Sequence, residues 1–472
     1  MIRPNKQLLA ILAAVLLFIV FFPQIASTAG GKRFFLESIQ SKTHTTVTAD
    51  KLTLSWFGPQ QFSNLTFHSE ELTGSIDELR VSVPLWSMLS LFELKKMHRI
   101  HGDASIVNGS FHLTSAQFPS VQLDAMQGSV RLHQGSADIA FDGKSLQDSG
   151  PGSFSLQGQI KSLSDAFKEF SLRGELIDFP TLAIGRILSA RYSFDENLLI
   201  KILGNTINLQ GSASKSENNG LIDLTFNAPN LDLTVHGNLE NDDLTIRQPV
   251  IATFRLTPEL SVWILKDINP LFITGIEAKS PLHLRIEPSR FRCPLSSFHL
   301  QHLQIGQGTL EMGRIHCQNT GALSSLIGLL KERSSSGSMI DVWFTPLQFS
   351  FINGELKTGR MDALINESIR ICTWGNINLI DDQMDMILGL TAETLKNSFG
   401  IKNLPAEYVL KIPLTGSTRN PSLATGSATA KIAALLAAQK TTHHWLSGSI
   451  LGIFSQTEGN VPPPNRPFPW EQ

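Results

Sequence analysis

The sequence predicts a mainly β protein: an elongated, curled antiparallel sheet with a few amphipathic helices and one N-terminal transmembrane helix. Three observations carry this prediction. Segments in which apolar and polar residues alternate recur along most of the chain, which is typical of strands with one apolar face. Short turn sequences separate most of these segments, and helical spacing is confined to a few places. An uncharged apolar run lies near the N-terminus.

The apolar run covers residues 8–22 and follows Arg3 and Lys6. As a helix it is about 22 Å long, shorter than the roughly 30 Å hydrocarbon core of a bilayer, and residues 25–29 can lengthen it. The positive flank predicts that the chain after residue 30 is exported. We interpret residues 1–29 as a cytoplasmic stub with an uncleaved, single-pass anchor. The alternative is a signal peptide cleaved among the small residues of 27–31.

Residues 231–246 are the clearest predicted hairpin, because apolar residues alternate with polar ones on both sides of the turn sequence at 241–243. At 46–56 the alternation slips by one residue, which predicts a bulge or a turn. Further segments of period two, several with a glycine where the apolar face should continue, lie at 153–160, 169–176, 206–214, 221–226, 346–351 and 382–390.

Helical spacing predicts a short linker helix around residues 33–40 and five covering helices. The five lie at 84–97, 180–192, 257–268, 320–334 and 427–440. Because most intervals between strands are too short for long crossovers, the sheet is expected to grow strand by strand and to curl. Its apolar face has to be hidden by closure into a barrel, by a second sheet, or by folding into a trough that holds an apolar ligand.

Composition argues against several classes of function. The 39 basic and 41 acidic residues give a net charge of −2 without a basic stripe, so we expect no nucleic-acid partner. Cys293, Cys317 and Cys372 are too few for a disulfide framework and too widely spaced for a zinc site. The sequence shows no catalytic or phosphate-binding motif, and we expect neither a cofactor, nor a metal, nor an enzymatic activity.

Both ends of the exported part resemble the AsmA-like family of inner-membrane-anchored bacterial proteins. At the N-terminal end, "TVTADKLTLSWFGPQQFSNLTF" (46–67) ends a strand in Trp, and residues 76–113 contain a strand, a helix and a strand pair with Asn-Gly. At the C-terminal end, residues 342–390 contain "NGELKT" and "GNINLIDDQMDM", and residues 407–423 resemble the segment that closes the family's C-terminal region. Residues 114–340 resemble the family only in their general pattern of strands and turns.

The resemblance implies a taco-shaped β-groove, as in bridge-like lipid transfer proteins, whose lining holds phospholipid acyl chains between inner and outer membrane. It implies a role in lipid transport and outer-membrane integrity, with the bulk of the chain in the periplasm. The alternatives are an assembly factor for outer-membrane proteins and, more distantly, an exported lipid- or glycan-modifying enzyme. The predicted groove-lining residues are Leu52, Leu54, Trp56, Leu231, Leu233, Val235, Leu347, Phe349, Phe351, Met384 and Met386.

The predicted organisation has four parts. Residues 1–29 are the anchor region, and 30–425 form one β-groove domain with AsmA-like parts at about 40–115 and 340–423. Residues 426–455 form a helical and apolar segment, which either caps the groove or docks on the outer membrane or a partner there. Residues 456–472 are a Pro-rich tail, interpreted as disordered. The predicted docking residues are Trp445, Leu446, Ile450, Leu451 and Phe454.

Overall fold

The computed structural model is mainly β, and its strands form one large antiparallel sheet that is not closed. It divides into two compact units, Met1–Pro229 (unit 1) and Asn230–Gln472 (unit 2), whereas the sequence predicted one β domain over 30–425. The structure describes residues 22–24, 27–43, 45–69, 72–83, 102–441 and 461–471, with gaps at 116–117, 134, 148–149, 162–167, 193–194, 196, 241–242, 296–298 and 331–337.

Unit 1 contains a linker helix, eleven strands and two further helices among its described residues. The helices are α1 (Ala29–Thr43), α2 (Thr181–Tyr192) and α3 (Leu198–Leu203). The strands are β1 (Thr46–Thr48), β2 (Lys51–Thr53), β3 (Gln60–His68), β4 (Leu72–Val81), β5 (Gly102–Ser115), β6 (Phe118–His133), β7 (Ser136–Gln147), β8 (Gly150–Ile160), β9 (Glu169–Pro180), β10 (Thr206–Ser216) and β11 (Asn219–Ala228).

The strands of unit 1 follow one another as an antiparallel meander. Both β1 and β2 pair with β3, and each strand from β3 to β11 then pairs with the next along the chain. Antiparallel neighbours need only short turns, which agrees with the short intervals between the predicted strands. The sheet of unit 1 therefore grows sideways, as the sequence predicted.

The predicted slip at 46–56 is confirmed as an irregularity that neighbouring strands share. The strand is interrupted between β1 and β2, and β3 and β5 each have an asparagine with positive φ close to this line, Asn64 (50°) and Asn108 (52°). Their side chains donate hydrogen bonds to Asp50 (2.8 Å) and to Asp77 of β4 (2.5 Å). Asparagine tolerates positive φ better than most residues. Because the strands slip together, the apolar residues stay on one face.

Unit 2 contains β12–β26 and four helices among its described residues. The helices are α4 (Pro258–Trp263), α5 (Gly321–Leu329), α6 (Ala392–Phe399) and α7 (Thr425–Thr441). The strands are β12 (Leu231–Glu240), β13 (Asp243–Ile246), β14 (Val250–Phe254), β15 (Gly275–Ala278), β16 (Leu282–Ile286), β17 (Cys293–Pro294), β18 (Gln304–Glu311), β19 (Gly313–Gln318), β20 (Met339–Phe344), β21 (Leu347–Ile352), β22 (Glu355–Ile365), β23 (Ile369–Asn378), β24 (Gln383–Thr391), β25 (Val409–Gly416) and β26 (Pro421–Leu423).

Two ladders meet at β22 in unit 2. One runs β12–β14–β16–β18–β21–β22, and the other runs β15–β19–β20–β22. From β22 the strands continue in chain order to β26. The predicted hairpin at 231–246 is confirmed, because β12 and β13 pair with Glu240 opposite Asp243. Its turn residues 241–242 lie outside the described residues.

Most predicted helices are confirmed where the structure describes them. α1, α2, α5 and α7 correspond to the segments predicted at 33–40, 180–192, 320–334 and 427–440. The segment 257–268 is a shorter helix, α4, followed by 3₁₀ turns at Leu265–Asp267 and Pro270–Thr274. α3 and α6 were not predicted. The segment 84–97 lies outside the described residues.

Among the described residues, no helix has the length and apolar character needed to cross a membrane. Residues 8–21 of the predicted anchor lie outside the described residues.

Candidate functional site

A row of apolar residues and glycines crosses unit 1 from β2 to β11. Each member lies directly opposite the next across a strand pair, so the side chains point to the same face of the sheet. At about 4.8 Å between strands, the row is about 43 Å long when measured along the sheet. Its members are Leu52, Phe62, Leu79, Ile106, Gly128, Phe141, Leu156, Gly174, Gly211 and Leu224.

Two further rows flank the first on the same face. One contains Val81, Ala104, Val130, Ile139, Gly158, Leu172, Ala213 and Ile222. The other contains Gly143, Phe154, Leu176, Leu209 and Phe226. We call the three rows the apolar band. The intervening residues point to the opposite face, and on β9 and β10 they include Arg173, Glu175, Gln210 and Ser212.

Helices cover the apolar band in two places. At its first strands, Leu52, Leu54 and Phe62 are buried in one cluster with Leu36 of α1. At its other end, Ala183 of α2 is buried with residues of β9 and β10, and Phe154, Leu176 and Phe226 of the band pack against this cluster. The sequence predicted a covering helix at α2, whereas it predicted the segment of α1 as a linker and not as a cover.

The middle of the apolar band stays partly exposed. Leu156 is 36% exposed, and the band residues around it are half-buried: Leu172, Leu176, Leu209, Ile222 and Leu224. A side chain of this size stabilises the folded state by about 1.5–3 kcal/mol only when it is fully buried. Much of that free energy is not realised here, so an apolar ligand that covers the band can recover it.

Two facing glycines form a hollow in the band. At the other three glycines of the band the space is already filled: a Cβ atom added to Gly128 would lie 2.4 Å from Phe141, one added to Gly143 would lie 2.8 Å from Phe154, and one added to Gly158 would lie 2.6 Å from Cδ2 of Leu172. At Gly174 the nearest atom would be the Ser155 carbonyl oxygen at 3.6 Å, and at Gly211 it would be Cδ1 of Leu224 at 3.1 Å. A cavity of about 350 Å³ lies here, and its apolar lining comes from Phe154, Leu156, Leu172, Leu176, Leu209, Ala213, Ile222 and Leu224.

The predicted lining residues of unit 1 lie at the covered end of the band. Leu52 and Leu54 are buried and contact protein. Trp56 is half-buried, and its ring centroid lies 6.0 Å from that of Phe22, the last residue of the predicted anchor. None of these three belongs to the open middle of the band.

The predicted lining residues of unit 2 share one face of its sheet. Leu233 begins a cross-strand row that continues through Ala252, Leu284 and Leu310 to Leu347. A second row joins Phe351 to Met384 through Leu356 and Ile377, and a third joins Phe349 to Met386 through Thr358 and Gly375. Leu231 and Val235 alternate with polar residues in step with Leu233 on β12.

Most of that shared face is a packed core. Leu347, Phe349, Phe351, Met384 and Met386 are each less than 9% exposed, whereas Leu231, Leu233 and Val235 are half-buried. The fully buried Phe272 of the 3₁₀ turn meets Phe344 edge to face at 5.3 Å, and Phe344 lies in a cross-strand row with Ala363, Ile371 and Leu390 on this face. The five buried residues therefore contact protein in this structure.

The C-terminal tail covers the opposite face of the same strands. Phe468 is fully buried, and the guanidinium of Arg370 lies 3.8 Å from the centre of its ring. Arg360 donates to the carbonyl oxygen of Pro462 (2.9 Å) and pairs with the buried Asp362 (2.8 Å). The prediction of a disordered tail is thus wrong for residues 461–471. The reason is that an aromatic ring buries a large apolar area and also provides a face for a cation.

The buried thiols offer no chemistry at neutral pH. Burial raises the pKa of Cys317 to about 12, and burial also raises the pKa of Cys372 to about 12. A protonated thiol is a poor nucleophile and a poor metal ligand. Within the part of the chain that the structure describes, no group of three or more His, Cys, Asp and Glu residues is placed to hold a metal ion.

Sequence reasoning missed the open middle of the band. The residues of 153–226 were recognised as strand residues with one apolar face, but none was selected as a lining residue. The available signal was Gly174 and Gly211 at equivalent places in two successive strand segments, without a predicted helix between 193 and 256. The predicted docking residues Trp445, Leu446, Ile450, Leu451 and Phe454 lie outside the described residues.

Comparisons of the chain with protein-family models, with curated proteins and with solved structures find no match.

Proposed function

We propose that the apolar band binds phospholipid acyl chains and that the protein is a non-enzymatic carrier of phospholipid between the inner and outer membranes of a bacterium. The carrier would support the integrity of the outer membrane. The observation that carries the proposal is the partly exposed middle of the band, with the hollow at Gly174 and Gly211. The resemblance of both chain ends to the AsmA-like family supports the same function.

The physical argument is the transfer of methylene groups out of water. Each buried methylene contributes about 0.8 kcal/mol, so ten of them contribute about 8 kcal/mol before the cost of ordering the chain. Along the first row, apolar residues or glycines occupy every strand from β2 to β11. An acyl chain that lies across the strands can therefore shift from one strand to the next without meeting a polar row.

In this proposal, residues 8–22 anchor the protein in the inner membrane. We expect the protein to stay in the membrane fraction through washing with high salt and to retain its original N-terminus. Peptide mapping that finds a mature chain beginning at Gly30 would show that the segment is a cleaved signal peptide instead.

Site-specific photo-crosslinking in cells tests the binding face. A photoreactive amino acid at Leu172 points into the band, and one at the neighbouring Arg173 points to the polar face. We expect phospholipid adducts, identified by mass spectrometry, from position 172 and few or none from position 173. Both variants are at partly exposed positions, so neither should prevent folding.

Three results would contradict the proposal. Equal lipid adducts at both positions would indicate nonspecific contact with membrane. The absence of a lipid adduct at position 172 would show that phospholipid does not bind the band there. Adducts of position 172 with outer-membrane proteins would favour the alternative role in assembly of those proteins.

A further inference from the structure

Phe57 is the most exposed large apolar residue among the described residues of the chain, at 90% of its surface. It lies in the loop between β2 and β3, next to the half-buried Trp56 and followed by Gly58 and Pro59. One exposed apolar residue is ordinary on a protein surface, so the position of Phe57 carries the inference and its exposure alone does not.

The loop is held in one conformation by the fully buried side chain of Gln60. Its Nε2 donates to the carbonyl oxygens of Ser55 (2.7 Å), Gly58 (2.9 Å) and Val83 (3.2 Å), and its Oε1 accepts from the Ser55 N–H (2.7 Å). The Gly58 N–H also donates to the Ser55 hydroxyl (2.9 Å). Phe57 is therefore presented outward by a preorganised loop.

The same loop is tied to the end of the apolar run at 8–22. Phe22 lies beside Trp56, with their ring centroids 6.0 Å apart. The hydroxyl of Ser27 accepts a hydrogen bond from the Leu54 N–H (2.9 Å), and Lys32 donates to the carbonyl oxygens of Ala49 (2.7 Å) and Asp50 (2.9 Å). These contacts hold β2 and its loop next to Phe22, the residue that ends the run.

We propose that the β2–β3 loop is a membrane contact and that Phe57 inserts into the interface of the bilayer in which residues 8–22 are anchored. The inference rests on the proposed function in one respect, the anchoring of residues 8–22. The inference adds a second membrane contact to the proposed function, the β2–β3 loop. With this contact, β2 and the covered beginning of the apolar band would lie directly at the membrane.

A lipid surface fits this loop better than a protein partner does. The run at 8–22 is about 22 Å long as a helix, shorter than the roughly 30 Å hydrocarbon core, so its last residue should lie no farther from the bilayer centre than the interface. Trp is enriched at that level of a bilayer, and Phe is among the residues that insert there. Trp56 lies beside the end of the run, and Phe57 is the next residue of the loop.

Spin-label accessibility in the full chain tests the proposal. The labelled protein carries Phe57→Cys, the matched control carries Glu217→Cys at the exposed turn between β10 and β11, and both carry Cys293→Ser. Cys317 and Cys372 are buried with pKa values of about 12 and should not react. The protein is reconstituted in vesicles of phosphatidylethanolamine and phosphatidylglycerol, floated, and measured with oxygen and with a water-soluble nickel complex as relaxing agents.

We expect the label at 57 to collide mainly with oxygen and the label at 217 mainly with the nickel complex. Floated protein in which both labels respond alike to the nickel complex would overturn the membrane contact and leave the anchor intact. A label at 57 that is shielded from both agents would also overturn it, in favour of a protein contact. Protein that does not float at all would overturn the anchor and the contact together.

Discussion

Gly174 on β9 and Gly211 on β10 lie directly opposite each other, and a Cβ atom added at either position would have no aromatic ring within 4 Å. Their neighbours in the same row, Leu156 and Leu224, border the hollow on either side. At the other glycines of the band a neighbouring side chain fills this space, as Phe141 does at Gly128 and Leu172 does at Gly158. Because neither glycine has a side chain, the apolar surface has room for a ligand at this point. This pair is accordingly the first target for mutation.

Gly174→Val should fill the hollow without harming the fold. We expect weaker binding of a pyrene-labelled phospholipid, measured by fluorescence, and a free energy of unfolding that is unchanged or raised by about 0.5 kcal/mol, since glycine within a strand is destabilising. Gly128→Val is the matched control. Its Cβ atom would lie 2.4 Å from Phe141, so this variant should lose about 1–3 kcal/mol of unfolding free energy through overpacking. Normal probe binding by a folded Gly174→Val protein would show that the hollow is not used.

Leu172→Glu should weaken phospholipid binding by roughly tenfold or more, because a carboxylate against acyl chains costs several kcal/mol unless it is protonated or reaches water. Arg173→Glu introduces the same side chain on the polar face and should bind normally. Titration of both purified proteins with the labelled phospholipid, after circular dichroism has confirmed folding, makes the comparison. Equal affinities would argue against the band as the binding surface.

Met386→Glu should act on stability and not on lipid passage alone. The sequence predicted that Phe349 and Met386 line a groove, but Met386 is fully buried in the core of unit 2. An unpaired buried carboxylate should lower the free energy of unfolding by about 3 kcal/mol or more. Gln348→Glu at an exposed position is the control for thermal unfolding. A Met386→Glu protein with a normal Tm and defective transport would restore the original interpretation.

Phe468→Ala should destabilise unit 2 by about 3 kcal/mol, because the ring is fully buried beneath the Arg370 guanidinium. Asn465→Ala, at an exposed position of the same tail, should have little effect. Thermal unfolding reports the loss of stability, and limited proteolysis reports whether the tail detaches. Unchanged stability of Phe468→Ala would contradict the packing of residues 461–471 on the sheet.

Acid should weaken unit 2 through Asp341. Burial acts to raise the pKa of this carboxyl, but the hydrogen bond from Arg314 and the charges of His316 and Arg314 outweigh it and leave the pKa below its usual value. A depressed folded-state pKa gives stability that is present above the unfolded pKa of about 3.9 and lost as the pH falls through the folded value. We expect Asp341→Asn to flatten the dependence of Tm on pH below about pH 4. If Tm of the Asp341→Asn variant changes with pH as steeply as that of the wild type, Asp341 is not the cause of the loss of stability in acid.

The strand pattern was largely predictable from the sequence because the pleat has a period of two. Leu347, Phe349 and Phe351 were assigned to one face by their spacing alone, and the structure places them on the same face as Met384 and Met386. Even the slip at 46–56 was readable, although the sequence of one strand does not show that Asn64 and Asn108 carry the slip into neighbouring strands.

The sequence by itself determined which residues share a face, since alternation and turn chemistry are local properties of the chain. Only the tertiary structure decided which part of the apolar face is covered, because burial depends on segments that are distant in sequence. Phe272 packs against Phe344, and Phe468 closes the opposite face over Arg370. The hollow at Gly174 and Gly211 likewise exists only because the registers of four strands bring two missing side chains together between Leu156 and Leu224.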